Sequence, residues 1–304
     1  MPLTLSVAVP TYQREEILID TISNLLKQSV AANEILIMDQ TPLHGADVGA
    51  RLEEWNKEGA IRWIRLKEAS QPKALNRALL DARSDLVLCL DDDIIPSDDL
   101  VKYHLEAHQS GNALWAVVGR ITQPWQDPNS REHSVKIKKD NIDFNYNSAN
   151  RCFVNNAMSG NLSVRRDKAI QIGGFDENFV KVAYRFDSEF AKRLIGAGGK
   201  ILFEPMAQLR HLRVKSGGTR SFGDYLSSIF PDHSVGAYYY FFRTKNIGPA
   251  IFGSMQRFAK SVCTKYHLRR PWRIPATLVA EFWGFAWALV LSIQGPRCLR
   301  MTKQ

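Results

Sequence analysis

The chain has 304 residues, of which 45% are hydrophobic and 23% charged, so it is long enough for one main globular domain with an appendage. Its formal net charge of +9 is unevenly distributed, because residues 243–304 contain eleven basic residues and a single acid, Glu281. The preceding 242 residues carry 29 basic and 30 acidic residues. This distribution argues against a nucleic-acid-binding core and indicates a tail that meets an anionic surface.

The cysteines indicate a reducing compartment. Four of them are spread along the chain with no CxxC pair, which predicts neither a zinc site nor a disulfide framework. Residues 1–10 are a short apolar segment without a basic n-region or a cleavage site, so we read no signal peptide and expect a cytoplasmic protein.

Strands alternate with helices along the first 119 residues. The apolar and amphipathic runs predict, in chain order, strand 3–9, helix 15–28, strand 34–38, helix 48–56, strand 61–66, helix 73–82, strand 86–90, helix 98–108 and strand 114–119. Such alternation predicts βαβ crossovers and therefore an α/β fold, with a Rossmann-like, mostly parallel sheet and helices on both faces.

The pattern is interrupted at residues 120–156, which are polar and longer than an ordinary connection, so we predict a functional or mobile loop there. Beyond it the sequence predicts a strand at 157–165, a short helix, a GGFDE turn, a helix at 186–197 and two short strands at 200–203 and 207–212. We expect residues 1–215 to form one domain and residues 216–304 a helical extension rich in aromatic and basic residues.

The strongest chemical feature is the stretch LVLCLDDDIIP, in which an apolar run is followed by Asp91, Asp92 and Asp93. Such a run fits a strand buried on both faces, and open α/β sheets place ligands at the carboxyl ends of their strands. Three adjacent carboxylates repel one another unless a cation or hydrogen-bond donors offset their charge. We favour a site for a hard metal ion; the alternative is a solvated turn before a helix cap.

Three further residues, Thr11, Asp39 and His211, also fall at predicted strand ends. Each has an ordinary explanation as a turn residue, a helix cap or a histidine with a local partner. In an open α/β sheet, however, these ends converge on one crevice, so the residues together predict a ligand site.

Seven segments form a recognisable series, in the order SVAVPTYQRE, ILIMDQT, KALNRAL, LDDDIIP, GNLSVRR, GGFDENF and RFDSEFAKRL, with a histidine after them. In this series the chain resembles the family 2 inverting glycosyltransferases with the GT-A fold, of the type found in bacterial polysaccharide biosynthesis. The resemblance covers residues 3–215 and implies a nucleotide-sugar-binding, catalytic domain. It further implies sugar transfer from a nucleotide-sugar to a hydroxyl of a glycan or lipid-linked acceptor, with Mg²⁺ or Mn²⁺ neutralising the diphosphate.

By this resemblance Asp93 is the direct metal ligand and His211 supplies a further metal contact. Asp91 or Asp92 would face the ribose and sugar of the donor. A histidine with only a local partner in its strand stays the alternative for His211.

The same resemblance places Thr11 and Asp39 against the nucleobase and ribose. Lys73 could reach the base or a phosphate, although a solvated lysine at a helix start is an equal alternative. Asn76 and Arg77 are similar candidates, and Arg14 is a weaker one.

An inverting transfer is a single displacement and needs one general base for the acceptor hydroxyl. The family uses the Asp of a Glu-Asp pair after the GGFDE turn, whereas this chain has Phe186 before Asp187. We assign the base to Asp187, with Glu189 as the alternative. Burial beside Phe186 would raise the basicity of Asp187. An N-cap role for Asp187 is compatible with either assignment.

The basic tail contains a long apolar segment, residues 274–294, whose only charge is Glu281. Such a segment could span a bilayer, lie at its interface or pack on the catalytic domain. A glutamate is costly inside a bilayer, while tryptophans and flanking cations favour the interface. We therefore expect peripheral binding to a membrane. The family resemblance implies the inner face of the cytoplasmic membrane, where bacterial members act on lipid-linked acceptors.

Two other functions stay open at this point. A metal-dependent phosphohydrolase or nucleotidyltransferase could use the same carboxylates, and phosphate release from simple esters would favour it. A catalytically weak nucleotide-sugar-binding scaffold would fit the loss of the acidic neighbour at Phe186.

Overall fold

In the computed structural model, which describes residues 2–111, 113–127 and 145–299, nine strands form one sheet. The strands are β1 (Leu5–Thr11), β2 (Glu34–Asp39), β3 (Arg62–Arg65), β4 (Leu86–Leu90), β5 (Ile94–Pro96), β6 (Leu114–Thr122), β7 (Cys152–Val154), β8 (Asn161–Arg165) and β9 (Lys200–His211). Their order across the sheet is β3-β2-β1-β4-β8-β6-β9-β5, and β7 pairs with β9 outside this path.

The first half of the sheet is parallel: β1 pairs with β2 and β4, and β2 pairs with β3. The connecting helices are α1 (Glu16–Leu25), α2 (Ala46–Lys57) and α3 (Gln71–Asp81). Alternate residues of β4 enter opposite cores, with Val87 and Cys89 in one and Leu86, Leu88 and Leu90 in the other. Because both faces of the strand are covered, the continuous apolar run is explained, and the predicted α/β fold with helices on both faces is confirmed.

The second half of the sheet is mixed. Strand β8 is antiparallel to β4 and β6, β6 is parallel to β9, and β5 is antiparallel to β9. The two short strands predicted at 200–203 and 207–212 are one strand, β9, whose register against β6 shifts between Glu204 and Gln208. Pro205 has no N–H to donate to the ladder, so the predicted break is a bulge. Beyond the bulge, His211 pairs with Ile94, next to the aspartates.

The remaining helices are α4 (Leu100–His108), α5 (Arg166–Gln171), α6 (Phe186–Gly196), α7 (Val235–Thr244), α8 (Ile247–Val262), α9 (Lys265–Arg269) and α10 (Ile274–Gln294). Short 3₁₀ helices cover Gly218–Phe222, Pro231–His233 and Pro271–Arg273. Helices α7, α8 and α10 pack on one another, and the buried side chains of α7 join the core that contains Phe175 and Phe190. The predicted segments 1–215 and 216–304 therefore share a core. Residues 128–144 of the predicted loop at 120–156 lie outside the described residues.

Candidate active site

A cleft of about 490 Å³ opens at the carboxyl ends of β1 and β4. Strand β1 ends at Thr11 and β4 ends immediately before the three aspartates, so the parallel pairing of these strands brings their ends to one edge. The predicted site residues that line the cleft are Thr11, Asp91, Asp92, Asp93, Asp187 and His211. Arg14, named as a weaker candidate, lines it as well, so the fold gathers seven of the predicted candidates around one cavity.

Asp93 is buried, and both of its carboxylate oxygens have polar partners. Its Oδ1 lies 3.0 Å from Nε2 of His211, and its Oδ2 accepts a hydrogen bond of 2.9 Å from the backbone N–H of Val214. Burial alone would raise the pKa of this carboxyl, but the hydrogen bond and charge of His211, together with Arg14, lower it. Asp93 is thus kept ionised.

Arg14 lies between two of the aspartates. Its Nε is 3.1 Å from Oδ1 of Asp92 and its Nη2 is 3.3 Å from Oδ2 of Asp93. The guanidinium also donates to the backbone oxygens of Val214 and Ser216, so it joins the carboxylates to the segment that follows β9. Burial raises the pKa of Asp92 to about 6 in spite of this cation. The sequence marked Arg14 only as a weak candidate, because pairing 78 residues away in the chain leaves no local signal.

Asp91 is partly exposed to the cleft, and burial raises its pKa. Its Oδ2 lies 3.8 Å from Nε2 of His211. A Cβ atom at position 160 would overlap this carboxylate, so Gly160 leaves the space that Asp91 occupies. Gly160 and its neighbour Ser159 both line the cleft.

No three His, Cys, Asp or Glu side chains among the described residues form a ready-made metal cage. Asp91, Asp93 and His211 nonetheless converge, with His211 Nε2 3.8 Å and 3.0 Å from the two carboxylates. Oxygen donors with an imidazole suit Mg²⁺ or Mn²⁺, and Mg²⁺ is commonly held by one or two carboxylates together with substrate phosphates. The residues therefore fit a cation whose remaining ligands come from a diphosphate.

Asp187 lies in the first turn of helix α6, on the far side of the cleft. Its Oδ2 accepts a hydrogen bond of 3.3 Å from the backbone N–H of Ser159, and its Oδ1 accepts one of 2.8 Å from Ser188. Burial, with a smaller contribution from the charge of Asp91, raises the pKa of Asp187 to about 6. The group is therefore more basic than an ordinary aspartate.

Glu189, the alternative base, has a different environment. It is 1% exposed, does not line the cleft and accepts hydrogen bonds from Arg193 and Arg243, the latter at 3.0 Å. Both of its oxygens are engaged in these ion pairs. The geometry favours Asp187 over Glu189 as the group that meets a substrate.

The segment that leads into α6 has an unusual backbone. Lys181, Ala183 and Arg185 have φ angles of 63°, 52° and 72°, a left-handed region that residues other than glycine rarely adopt. The extension supports this segment, because a Cβ atom at Gly236 in α7 would lie 2.7 Å from the carbonyl oxygen of Tyr184. The helical extension thus packs against the segment that positions Asp187.

Four predicted donor contacts, namely Asp39, Lys73, Asn76 and Arg77, lie outside the cleft lining. Asp39 is buried at the end of β2, where it accepts hydrogen bonds from Nε1 of Trp63 at 2.9 Å and from the backbone N–H of Thr41 at 2.8 Å. Its neighbour Gln40 lines the cleft instead. Lys73 pairs with Glu68 at the surface of α3. Contacts of Asp39 and Lys73 with a nucleotide stay predictions.

Comparison with known proteins identifies the family of the chain. The chain matches the model of Glycosyl transferase family 2 over residues 6–172, which is more than half of its length, and it therefore belongs to this family. It is 28% identical over 142 residues to an uncharacterized glycosyltransferase of Bacillus subtilis (strain 168), YfnE. That match covers 44% of this chain and 35% of the relative, so the chain spans only about a third of the relative's length.

Two solved structures share the fold. One is the mannosyltransferase PcManGT from Pyrobaculum calidifontis in complex with GDP-Man and Mn²⁺, with a TM-score of 0.57, 18% identity and coverage of 97% of this chain and 80% of that one. The other is GalNAc-T7 with UDP, GalNAc and Mn²⁺, with a TM-score of 0.57, 13% identity and coverage of 80% and 51%. At these identities the likeness concerns the fold, and the predicted GT-A architecture is confirmed.

Proposed function

We propose that this glycosyltransferase is metal-dependent and inverting, and that it moves a sugar from a nucleotide-sugar to a hydroxyl of a glycan or lipid-linked acceptor. The observation that carries the proposal is one cleft with two kinds of carboxylate. Asp93, ionised beside His211, lines one part of it, and Asp187, with its raised pKa, lines another. The first arrangement suits a cation and the second suits a general base.

On the donor side, Asp93 and His211, with Asp91 beside them, would hold Mg²⁺ or Mn²⁺. When bound, the cation offsets the negative charge that develops on the departing diphosphate. Arg14 keeps Asp92 and Asp93 in place through its paired contacts. The similar structures that contain Mn²⁺ with UDP or GDP-Man support a donor of this type.

On the acceptor side, Asp187 takes the proton of the attacking hydroxyl. The new bond forms between that oxygen and the anomeric carbon while the bond from this carbon to the phosphate oxygen breaks, which inverts the configuration. A pKa of about 6 leaves Asp187 ionised at neutral pH yet a better proton acceptor than an ordinary aspartate. The hydrogen bond from Ser159 fixes one of its oxygens.

We place the enzyme in the cytoplasm, at the inner face of the cytoplasmic membrane. The helix at Pro271–Gln294, with a mean hydropathy of 1.7 in its most apolar window, is long and apolar enough to cross a membrane. A third of that window is buried against the protein, which supports a location at the surface of the bilayer. Membership of family 2 disfavours the phosphohydrolase alternative.

The test is incubation of the full chain with a panel of UDP- and GDP-sugars and with candidate acceptors, in Mn²⁺ or Mg²⁺. We expect acceptor-dependent release of nucleoside diphosphate that stops with chelator and collapses in Asp93→Ala. Nuclear magnetic resonance of the product should show an inverted anomeric centre. Full activity of Asp93→Ala in excess chelator, or retention of configuration, would contradict the proposal.

A further inference from the structure

Helix α10 has one face fixed to the protein. Its buried residues recur every three or four positions at Thr277, Glu281, Gly284, Ala288 and Leu291, with Ala280 buried beside Glu281. Glu281 accepts a hydrogen bond of 2.6 Å from the hydroxyl of Tyr238 and one of 3.0 Å from Arg257. The only acid of residues 243–304 is therefore neutralised inside the helical extension.

The opposite face of α10 is apolar and exposed. Phe282 and Ile293 are 67% and 79% exposed. The exposed large apolar side chains of α8, of α10 and of the connection between them are Ile247, Ile251, Phe252, Met255, Leu268, Trp272, Val279, Phe282, Trp283, Leu289, Val290 and Ile293, and we call this set the apolar face. Because α8 and α10 pack on each other, these residues belong to one subdomain. Soluble monomers rarely expose an apolar surface of this kind without a partner.

The chain segment that carries the apolar face has exposed charges of one sign. The exposed charged residues of the described part of 245–299 are all basic: Lys245, Lys260, Lys265, Arg269, Arg270, Arg273 and Arg297. A second copy of the chain would bring the same cations together, and they would repel. An anionic lipid surface complements both the charge and the apolar side chains.

We propose that the apolar face docks on an anionic lipid bilayer, with α10 lying along the interface rather than across it. Trp272 and Trp283, 70% and 49% exposed, lie at the level of the headgroups. To span the bilayer, α10 would have to separate from α7. Glu281 would then lose its contacts with Tyr238 and Arg257 and enter the lipid.

The apolar face also leads toward the catalytic cleft. Phe222 lines both that cleft and a shallow groove that contains Ile229 and Phe230, and the ring of Phe230 lies 6.3 Å from that of Trp283. Docking therefore brings the mouth of the cleft toward the lipid surface, where a lipid-linked acceptor presents its hydroxyl. This step deepens the proposed function and rests on it for the acceptor.

The test measures lipid binding without substrate. The full chain is pelleted with sucrose-loaded vesicles of phosphatidylcholine, with or without phosphatidylglycerol. We expect it to bind the anionic vesicles about tenfold or more tightly than the neutral ones, and to lose this preference as salt is raised. Brominated acyl chains should quench its tryptophan fluorescence.

The variant Phe282→Ser/Ile293→Ser should bind anionic vesicles about tenfold or more weakly, because both side chains leave the lipid. Phe153→Ser is the matched control, since Phe153 is 59% exposed on β7, outside the apolar face. Circular dichroism melting of all variants establishes that they remain folded.

Equal pelleting of the double variant and the control, or no pelleting of the wild-type chain, would overturn the proposal. A concentration-dependent dimer that the double substitution abolishes, without vesicle binding, would overturn it in favour of a second copy. Nucleotide-sugar turnover on a soluble acceptor is measured in parallel. If the chain turns over the nucleotide-sugar but does not bind vesicles, the proposal of membrane docking is rejected. The proposed transferase chemistry would not be affected by that result.

Discussion

At the scale of single residues, the environment of each carboxylate decides its chemistry. Asp187 and Glu189 lie two positions apart in the first turn of α6, yet one faces the cleft and the other is enclosed by arginines. Burial raises the pKa of Asp187, whereas Asp93 has a lowered pKa because His211 and Arg14 outweigh its burial. This divergence separates a base from a cation ligand within one cleft.

The first prediction compares the two candidate bases. Asp187→Asn should lower kcat by about 100- to 10,000-fold, the usual contribution of a general base, with little change in thermal unfolding. Glu189→Gln should instead lower the free energy of unfolding by about 1–3 kcal/mol, because its arginines lose a charged acceptor, and leave most of kcat in the folded fraction. Steady-state kinetics and urea unfolding of both variants make the comparison; the reverse pattern would assign the base to Glu189.

The second prediction concerns pH. Asp187 accepts a proton only when ionised, so a folded-state pKa of about 6 means that activity rises as the pH is raised through about 6. An aspartate with an ordinary pKa would give this rise near pH 4. The measurement is kcat/KM between pH 4.5 and 8 at saturating Mn²⁺. A flat profile from pH 4.5 to 7 would exclude Asp187 as a base of raised pKa.

At the scale of secondary-structure elements, α7 joins the extension to the part of the domain that carries Asp187. Arg243 donates to Oδ2 of Asp176, in the GGFDE turn, and to Oε1 of Glu189, in α6, each at 3.0 Å. The hydroxyl of Tyr239 donates to Asp176 as well. The extension is therefore a structural part of the catalytic unit as well as a candidate membrane contact.

The third prediction concerns the ion pairs of Arg243 with Asp176 and Glu189. Arg243→Met should lower the free energy of unfolding by about 3 kcal/mol or more, because two buried carboxylates lose a cation. Lys260→Met is the matched control, since Lys260 is exposed on α8, and it should change stability by less than about 0.5 kcal/mol. Urea unfolding followed by circular dichroism measures both. Equal stability of the two variants would show that the ion pairs of Arg243 do not hold the extension in place.

At the scale of the whole molecule, the sequence predicts what depends on local pattern. The alternating strands and helices, and the aspartates at the end of β4, could be recognised because each lies within a few residues of the chain. Long-range pairing could not be recognised in this way. Arg14 pairs with Asp92, 78 positions away, and Arg243 pairs with Glu189, 54 positions away. For the same reason Glu281 looked costly in an apolar segment, whereas Tyr238 and Arg257 provide its partners.

The central claim is that the cleft binds a nucleoside diphosphate through a divalent cation held by the carboxylates after β4. Isothermal titration calorimetry with UDP and GDP, in Mn²⁺ and in chelator, tests it most directly. At least one nucleotide should bind about tenfold or more tightly with Mn²⁺. Asp93→Asn should abolish this gain, while Asp98→Asn, at an exposed position nearby, should retain it. Equal affinity with and without Mn²⁺, or a full gain in Asp93→Asn, would contradict the account.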